Sequence, residues 1–541
     1  MKNMLLLLSL LLSLHLFADD TVLLRFGAIS DNHFDRKRPE MAERTRKAFE
    51  LFKKHKVDFF VDCGDVVDTY QPDMFQLWRK IYLEVFADEK SRPDFLMIPA
   101  GHDRIGTTWK QGYSDFVKYT GSGSVNPVKQ VKGYHFVSIA QKENPEILKK
   151  NLAAAYAASK DKPVFVITHY PPKNTTPGSS GSSGDLHYRN ILEAYPQAIS
   201  ISGHTHASLY DERSIWQGKF TTVNAGSLAY HDIGGTANLA TRHPSYEASI
   251  WDVYKDKIVI RRFNVKDGTE VSANLRWVIS LPYKAENAPY TPENRKKTFP
   301  VPGFKASDKG VFIGKKHTWN RWGTLQFPAP EHVNAASRYR LVLEKAGADK
   351  KFAHYGIIDF LPPVIAGKPL QFGFATGYLS VGKYRYTLTP FNCFGVSGKT
   401  LQGEFAVKKV PWKEVKTAQT ELAVFKGRKS KDPMAADADG FSNAKGDFRV
   451  VIPEDVIAQT VAKKKKLLVA LKVECIGSGS ASALRNLDGK GSIATLSTVC
   501  YRAMAQAQQY SFVFTTTHRA LLIRGGSPGK YRFSDIKYYL Y

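Results

Sequence analysis

The stretch Val57-Asp58-Phe59-Phe60-Val61-Asp62-Cys63-Gly64-Asp65-Val66-Val67-Asp68 decides the fold. Its first half is a short, largely apolar run, the pattern of a strand packed inside a layered α/β domain. The run ends at Cys63-Gly64, where a glycine lets the backbone turn tightly into a carboxylate. In open α/β sheets, ligands gather outside the carboxyl ends of the strands. This strand therefore delivers Asp65, and behind it Asp68, to a common site.

The same pattern recurs on both sides of that stretch. Further strands are predicted over residues 24–30, 95–99, 134–140, 164–168 and 198–202, with helices between them. One such helix spans 39–55 and carries Met41, Ala48, Leu51 and Phe52 on one side. Ile250, Val253, Ile258, Ile260 and Phe263 mark a closing β segment over 249–265, so the α/β domain is expected to end near 282. Four more of these strands end in polar pieces: Asp31-Asn32-His33, Gly101-His102-Asp103, Thr168-His169 and Gly203-His204-Thr205-His206. Taken singly, each is the kind of group that is usually a surface feature or a satisfied core polar residue. Together, in order and at strand ends, they converge on one spot.

Residues i and i+2 of an extended segment point the same way, so Asp31 with His33, and His204 with His206, are each expected to face one cavity. Imidazole and carboxylate ligands in this mixture suit zinc, iron or manganese. Asp65, with two oxygens, can bridge two ions.

This ordered set resembles the calcineurin-like metallophosphoesterase superfamily, which includes the class III cyclic nucleotide phosphodiesterases, over about residues 24–265. The usual signature is D-x-H, G-D-x-x-D, G-N-H-[DE], a lone His and G-H-x-H. The resemblance implies a four-layer α/β/β/α sandwich and two divalent transition-metal ions (Mn, Fe or Zn). By that resemblance the first ion is held by Asp31, His33, Asp65 and His206. The second is held by Asp65, His169 and His204 with an Asn of the third motif. His102 would act on the scissile ester as acid or electrostatic stabiliser, oriented by Asp68. The stretch Val223-Asn224-Ala225-Gly226-Ser227-Leu228 is similar to the strand that follows the last His pair in the family. One position departs from the pattern: Gly101 stands where the family has its metal-ligating Asn. The second ion is thereby one ligand short, unless water or a residue of another loop supplies it.

The rest of the chain bounds the setting. With 541 residues, 43% of them hydrophobic, the protein has material for two or three domains. Met1-Lys2-Asn3 leads into an apolar run over 4–18, interrupted by Ser9, Ser13 and His15. That run falls short of the roughly 20 residues that span a bilayer, so 1–18 reads as a cleaved signal peptide and the mature protein as periplasmic or secreted, not integral to the membrane. The α/β domain is placed at 19–282.

Prolines 289, 292, 300 and 302 mark a linker or irregular edge. After it, 283–409 reads as a β-sandwich whose end resembles a fibronectin type III module, and 410–541 as a second sandwich whose last strand is similar to a jelly-roll carbohydrate-binding module. A net charge of +27 favours anionic surroundings such as nucleic acid, an acidic glycan or an anionic membrane or cell surface, though lysines spread along the whole chain read first as a solvated basic surface. The lysines are spread along the chain, with one dense run at 463–466 and no aromatic stacking motif, so specific nucleic-acid binding is not expected. Four cysteines are too few for a disulfide scaffold. Cys475 and Cys500 fall in one domain and could pair, whereas Cys63 and Cys393 are expected to be unpaired.

The loop over 175–184 is rich in small residues and reads as a disordered surface loop or a lid. His187, Arg189, Tyr230 and His231 lie beside the motif loops and read as surface polar residues, with contact to substrate as the alternative. The function expected is an exported metal-dependent hydrolase of phosphodiesters or phosphomonoesters, working through a metal-activated water. The alternative is a binding protein whose phosphoesterase fold has lost catalysis and whose β modules attach it to a glycan or cell surface.

Overall fold

The computed structural model describes residues 21–159, 162–231, 246–271 and 273–314, and between 322 and 540 the strands, one helix and several of their connections. The predicted leader and Cys500 lie outside the described residues. One compact unit holds the described residues up to Phe299 together with Cys393–Val396. A second holds Pro300–Asn392 and the described residues from Ser397 onward.

The first unit contains, in chain order, β1 (Leu24–Ile29), α1 (Glu40–Lys54), β2 (Phe59–Asp62), α2 (Pro72–Val85), β3 (Asp94–Met97), α3 (Trp109–Thr120), β4 (Val128–Val131), β5 (Tyr134–Ile139), α4 (Pro145–Ser159) and β6 (Val164–Thr168). It continues with α5 (Leu186–Leu192), β7 (Ala198–Ser202), β8 (Ile215–Gln217), β9 (Thr221–Asn224), β10 (Glu247–Val253), β11 (Lys257–Asn264), β12 (Thr269–Glu270), β13 (Trp277–Ser280) and α6 (Pro292–Thr298). Two sheets result. One runs β12-β11-β10-β1-β2-β3, with β13 on β11; the other runs β4-β5-β6-β7-β9-β8. At the centre of each sheet the strands are parallel: β1 with β2 and β2 with β3, then β5 with β6, β6 with β7 and β7 with β9.

Alternation of side chains along each strand sorts the core into layers. Phe26, Phe59, Val61 and Trp251 of the first sheet meet Phe136, Phe165, Ile167 and Ile201 of the second in one cluster. Phe26 lies edge-on to the ring of Phe136 at 5.2 Å and stacks on Trp251 at 5.2 Å. The other face of the first sheet, with Ile29 and Phe60, packs on Phe49, Phe52, Trp78 and Tyr82 of α1 and α2. The other face of the second, with Val137, Ile139 and Val166, packs on Leu148, Leu152 and Leu192 of α4 and α5. The result is the expected α/β/β/α arrangement, and each fully buried aromatic in it contributes about 2–3 kcal/mol of apolar burial.

This unit runs on past 282 to Phe299. The stretch that begins at Tyr283 does not leave the core: Tyr283 and Tyr290 belong to the inter-sheet cluster, and the Tyr283 hydroxyl donates to the Gly218 carbonyl. Large aromatic side chains outweigh the prolines as boundary signals here.

The second unit is built of antiparallel sheets. Strands Val311–Gly314, Trp322–Phe327 and Leu370–Ala375 form one, and Lys351–Gly356, Ala336–Lys345, Gly382–Asn392 and Leu401–Val407 form the next. Leu325 and Phe327 of the first sheet share a core with Leu341, Leu343, Tyr384 and Leu388 of the second, which makes a sandwich. Two five-stranded antiparallel sheets follow, with one helix, Glu454–Ala462. Among the described residues no helix is long and apolar enough to cross a membrane. Cys63 and Cys393 are free.

Candidate metal centre

Every motif residue sits in a loop that leaves the carboxyl end of a parallel strand: Asp31 and His33 after β1, Asp65 and Asp68 after β2, His102 after β3, His169 after β6, and His204 and His206 after β7. Backbone hydrogen bonds lash these loops together. Asp31 N donates to Gly64 O (2.9 Å), His33 N to Asp65 O (3.0 Å) and Gly203 N to His169 O (3.1 Å). Gly203 also lets β7 close on β1, because a Cβ there would lie 2.5 Å from Asp31 Oδ2.

The extended geometry expected of the two i, i+2 pairs is not what forms. Asp31, His33, Asp65, His204 and His206 all have φ between 48° and 66°, the left-handed region. Each such residue costs about 1 kcal/mol or more, and such strain persists only where the surroundings over-determine it. The pairs converge because two left-handed residues curl each loop over the strand ends, not because a strand alternates. Five of the eleven left-handed non-glycine residues described are site residues.

Asp31, His33 and His206 bring one ligand atom each within 4.8 Å of one another, and so do Asp65, His169 and His204. In the first group His206 Nε2 is 3.2 Å from Asp31 Oδ1 and 3.2 Å from His33 Nε2. In the second, His169 Nε2 is 3.0 Å from Asp65 Oδ2. Ligand atoms about 2.1 Å from one ion lie about 3.0–3.4 Å apart, so these spacings fit an ion's coordination shell. A third group, His33, Asp68 and His102, shares His33 with the first.

The hydrogen bonds of the ring nitrogens carry the stronger argument. Carbonyl and carboxylate oxygens only accept, so His206 Nδ1 donates to Tyr230 O (2.9 Å), His169 Nδ1 to Cys63 O (2.9 Å) and His33 Nδ1 to Asp68 Oδ1 (3.2 Å). In neutral rings these bonds leave Nε2 as a lone pair. Lone pairs of His33 and His206 then face each other beside the Asp31 carboxylate. His169 Nε2 is buried and makes no well-directed hydrogen bond among the described residues. With the rings neutral, acceptors face acceptors in a buried pocket, so a proton or a metal ion must lie between them, and partners on the far nitrogen are how metal-bound imidazoles are oriented. The residues fit two divalent ions.

The electrostatics agree. Burial pulls His33 and His169 down, yet the surrounding carboxylates outweigh it, holding His33 up at about 10 and His169 at about 9. Burial works against the charge of Asp31 and Asp65 as well, but His206 beside Asp31 and His169 beside Asp65 drive both carboxyls well below the usual range. His204 falls to about 3, through burial and then the charge of His169. The cluster is built around positive charge at its centre.

Asp68 works differently from the expectation. Its carboxylate, held down to about 2 chiefly by His33, pairs with His33 and with Arg38 (2.9 Å). His102 Nδ1 bonds the backbone carbonyl of Asp68 at 2.7 Å, while the carboxylate is 3.9 Å away. Asp68 thus orients two histidines, one through each kind of oxygen.

Three residues support the site in ways the sequence did not show. Asn32 is a buried peg whose amide donates to Asp62 (2.8 Å) and accepts from Thr45 (2.9 Å). Asp103 accepts from Val67 N (3.0 Å) and Ala100 N (2.8 Å), tying the β2 and β3 loops together, and burial followed by the charge of Asp65 raises it to about 8. Tyr230 covers His206, with ring centroids 4.2 Å apart, and supplies its carbonyl partner. A polar residue between two motif residues was the available signal for Asn32.

His231, read as a surface residue, is buried and 3.3 Å from Glu247 Oε1. His187 is exposed, and Arg189 is spent on Glu193 (3.0 Å) and Lys173 O (2.8 Å). In the 175–184 loop Thr176 and Ser179 are buried, with the Ser179 hydroxyl donating to Thr176 O (2.7 Å), while Ser180, Gly181 and Ser182 are exposed.

The model of the calcineurin-like phosphoesterase family matches residues 24–208. These residues form a calcineurin-like phosphoesterase domain. Solved structures similar to the chain include a dimetal phosphatase from Danio rerio (10% identity, 46% of this chain and 99% of that one, TM-score 0.35). GAP50, described as the anchor in the inner membrane complex of Plasmodium, is 17% identical over 48% of this chain and 89% of its own, with TM-score 0.34. A purple acid phosphatase from yellow lupin seeds is 11% identical over 48% and 53%, with TM-score 0.33. No curated protein matches the sequence.

Proposed function

We propose that the chain is an exported, metal-dependent hydrolase of phosphoric esters, with a dinuclear centre of Mn, Fe or Zn ions. One observation carries this reading: the two carboxylates and the inward-facing imidazole nitrogens form buried groups of acceptors around Asp31 and Asp65. Asp31, His33, Asp65 and His206 would hold one ion, and Asp65, His169 and His204 the other. Ions held there would supply Lewis acidity toward a water and toward phosphoryl oxygens. His102, half-exposed at the rim, donates Nδ1–H to the Asp68 carbonyl, so it is the doubly protonated ring that would carry on Nε2 a proton to hand to the leaving oxygen. Its ring meets His33 edge-on at 4.6 Å, which places it beside the first group. Export, to the periplasm or beyond, rests on the apolar run over 4–18. The +27 charge supports a setting near anionic glycan or cell surface.

The test is elemental analysis of the purified chain, with assays of bis-p-nitrophenyl phosphate and p-nitrophenyl phosphate in added manganese, beside Asp65→Asn. Two metals per chain and turnover that the variant loses are expected. Two metals without turnover would refute hydrolysis and leave the binding-protein reading; fewer than two would refute the dinuclear centre.

A further inference from the structure

The group of Asp65, His169 and His204 offers three ligand atoms, one fewer than the four of even a tetrahedral site. Gly101, beside it, has no side chain to add. Its backbone does not explain the glycine, since φ −62° and ψ −43° are open to any residue. What occupies the space is Gln141: a Cβ on Gly101 would lie 2.9 Å from Gln141 Oε1. An Asn amide oxygen sits about 2.4 Å from its own Cβ by ordinary bond lengths, so Gln141 Oε1, at 2.9 Å, lies about 0.5 Å farther from that Cβ than the oxygen of an Asn at 101 would.

We infer that Gln141 is a ligand of the second ion, supplying from the end of β5 the amide oxygen that Gly101 cannot. This rests on the dinuclear reading above. Gln141 Oε1 is buried and has no hydrogen-bond partner among the described residues, although a buried amide oxygen without one is costly. The residue is positioned from two sides. The Tyr113 hydroxyl of α3 donates to its backbone carbonyl (2.5 Å), and its side-chain amide hydrogen-bonds the Tyr170 hydroxyl. Tyr170 in turn lies against His204, with ring centroids 3.9 Å apart. On the other side, His102 N, next to Gly101, donates to Asp65 Oδ1 at 2.9 Å. Gln141 therefore stands between neighbours of two ligands of the group, with a free oxygen. An amide oxygen suits manganese well.

The experiment is equilibrium dialysis of the full chain against manganese, with ions per chain read by elemental analysis and the melting temperature of the metal-free protein recorded alongside. Wild type should hold two ions. Gln141→Ala should weaken the second by at least about tenfold without changing the metal-free melting temperature. Adding Gly101→Asn to Gln141→Ala should restore it, because the asparagine then has room. Two ions held by Gln141→Ala at unchanged affinity would overturn the assignment alone, as would loss of the second ion that the double variant does not restore. Fewer than two ions in wild type would overturn the dinuclear reading itself.

Discussion

Replacing Gly203 by alanine tests whether the closeness of β1 and β7 sets the metal centre. The new Cβ would lie 1.9 Å from Ser30 Oγ, 2.5 Å from Asp31 Oδ2 and 2.9 Å from Ser30 Cβ. Rotating the serine hydroxyl relieves the first clash only. Ordinary contact begins near 3.4 Å, so Asp31 must retreat by about 0.9 Å, several times the ~0.2 Å that metal–ligand distances tolerate. Gly27→Ala is the matched control, since its Cβ would meet the Phe52 ring at 2.4 Å on the helix side of the sheet. Both variants overpack and should lose about 1–3 kcal/mol in urea denaturation of the metal-free protein. Only Gly203→Ala should lose manganese in equilibrium dialysis. If it keeps its ions at wild-type affinity, or if Gly27→Ala sheds them too, the argument from strand closeness is wrong.

Two further outcomes follow from the hydrogen bonds of the site. Asp68→Ala removes the carboxylate that orients His33 but keeps the backbone carbonyl that holds His102; it should weaken manganese binding about 10–100-fold, read by titration against a chelator. His102→Ala should leave the number of bound ions unchanged and lower turnover of bis-p-nitrophenyl phosphate by about 10²–10⁴, so an equal loss of ions would show that His102 is a ligand instead.

The residues of the centre were legible in the sequence because each closes an apolar strand, and parallel strands fix which end of the sheet carries function. Short, largely apolar runs such as 57–62 and 164–168 likewise determine the layered class. How the ligands turn inward was not legible. Left-handed φ at Asp31, His33, Asp65, His204 and His206 is imposed by cross-loop hydrogen bonds between segments far apart in the chain, such as His204 N to Asp31. Local propensity points the other way, toward extended backbone. Nor could sequence assign Asp68 its two duties, which depend on where a carbonyl and a carboxylate of one residue lie relative to two rings. Tyr283 and Tyr290 carried the first unit beyond its apparent proline boundary, because burial is decided by the partner surface. The space at Gly101 is the clearest case. Sequence shows a missing amide there, and only packing brings Gln141, forty residues later, to the same place.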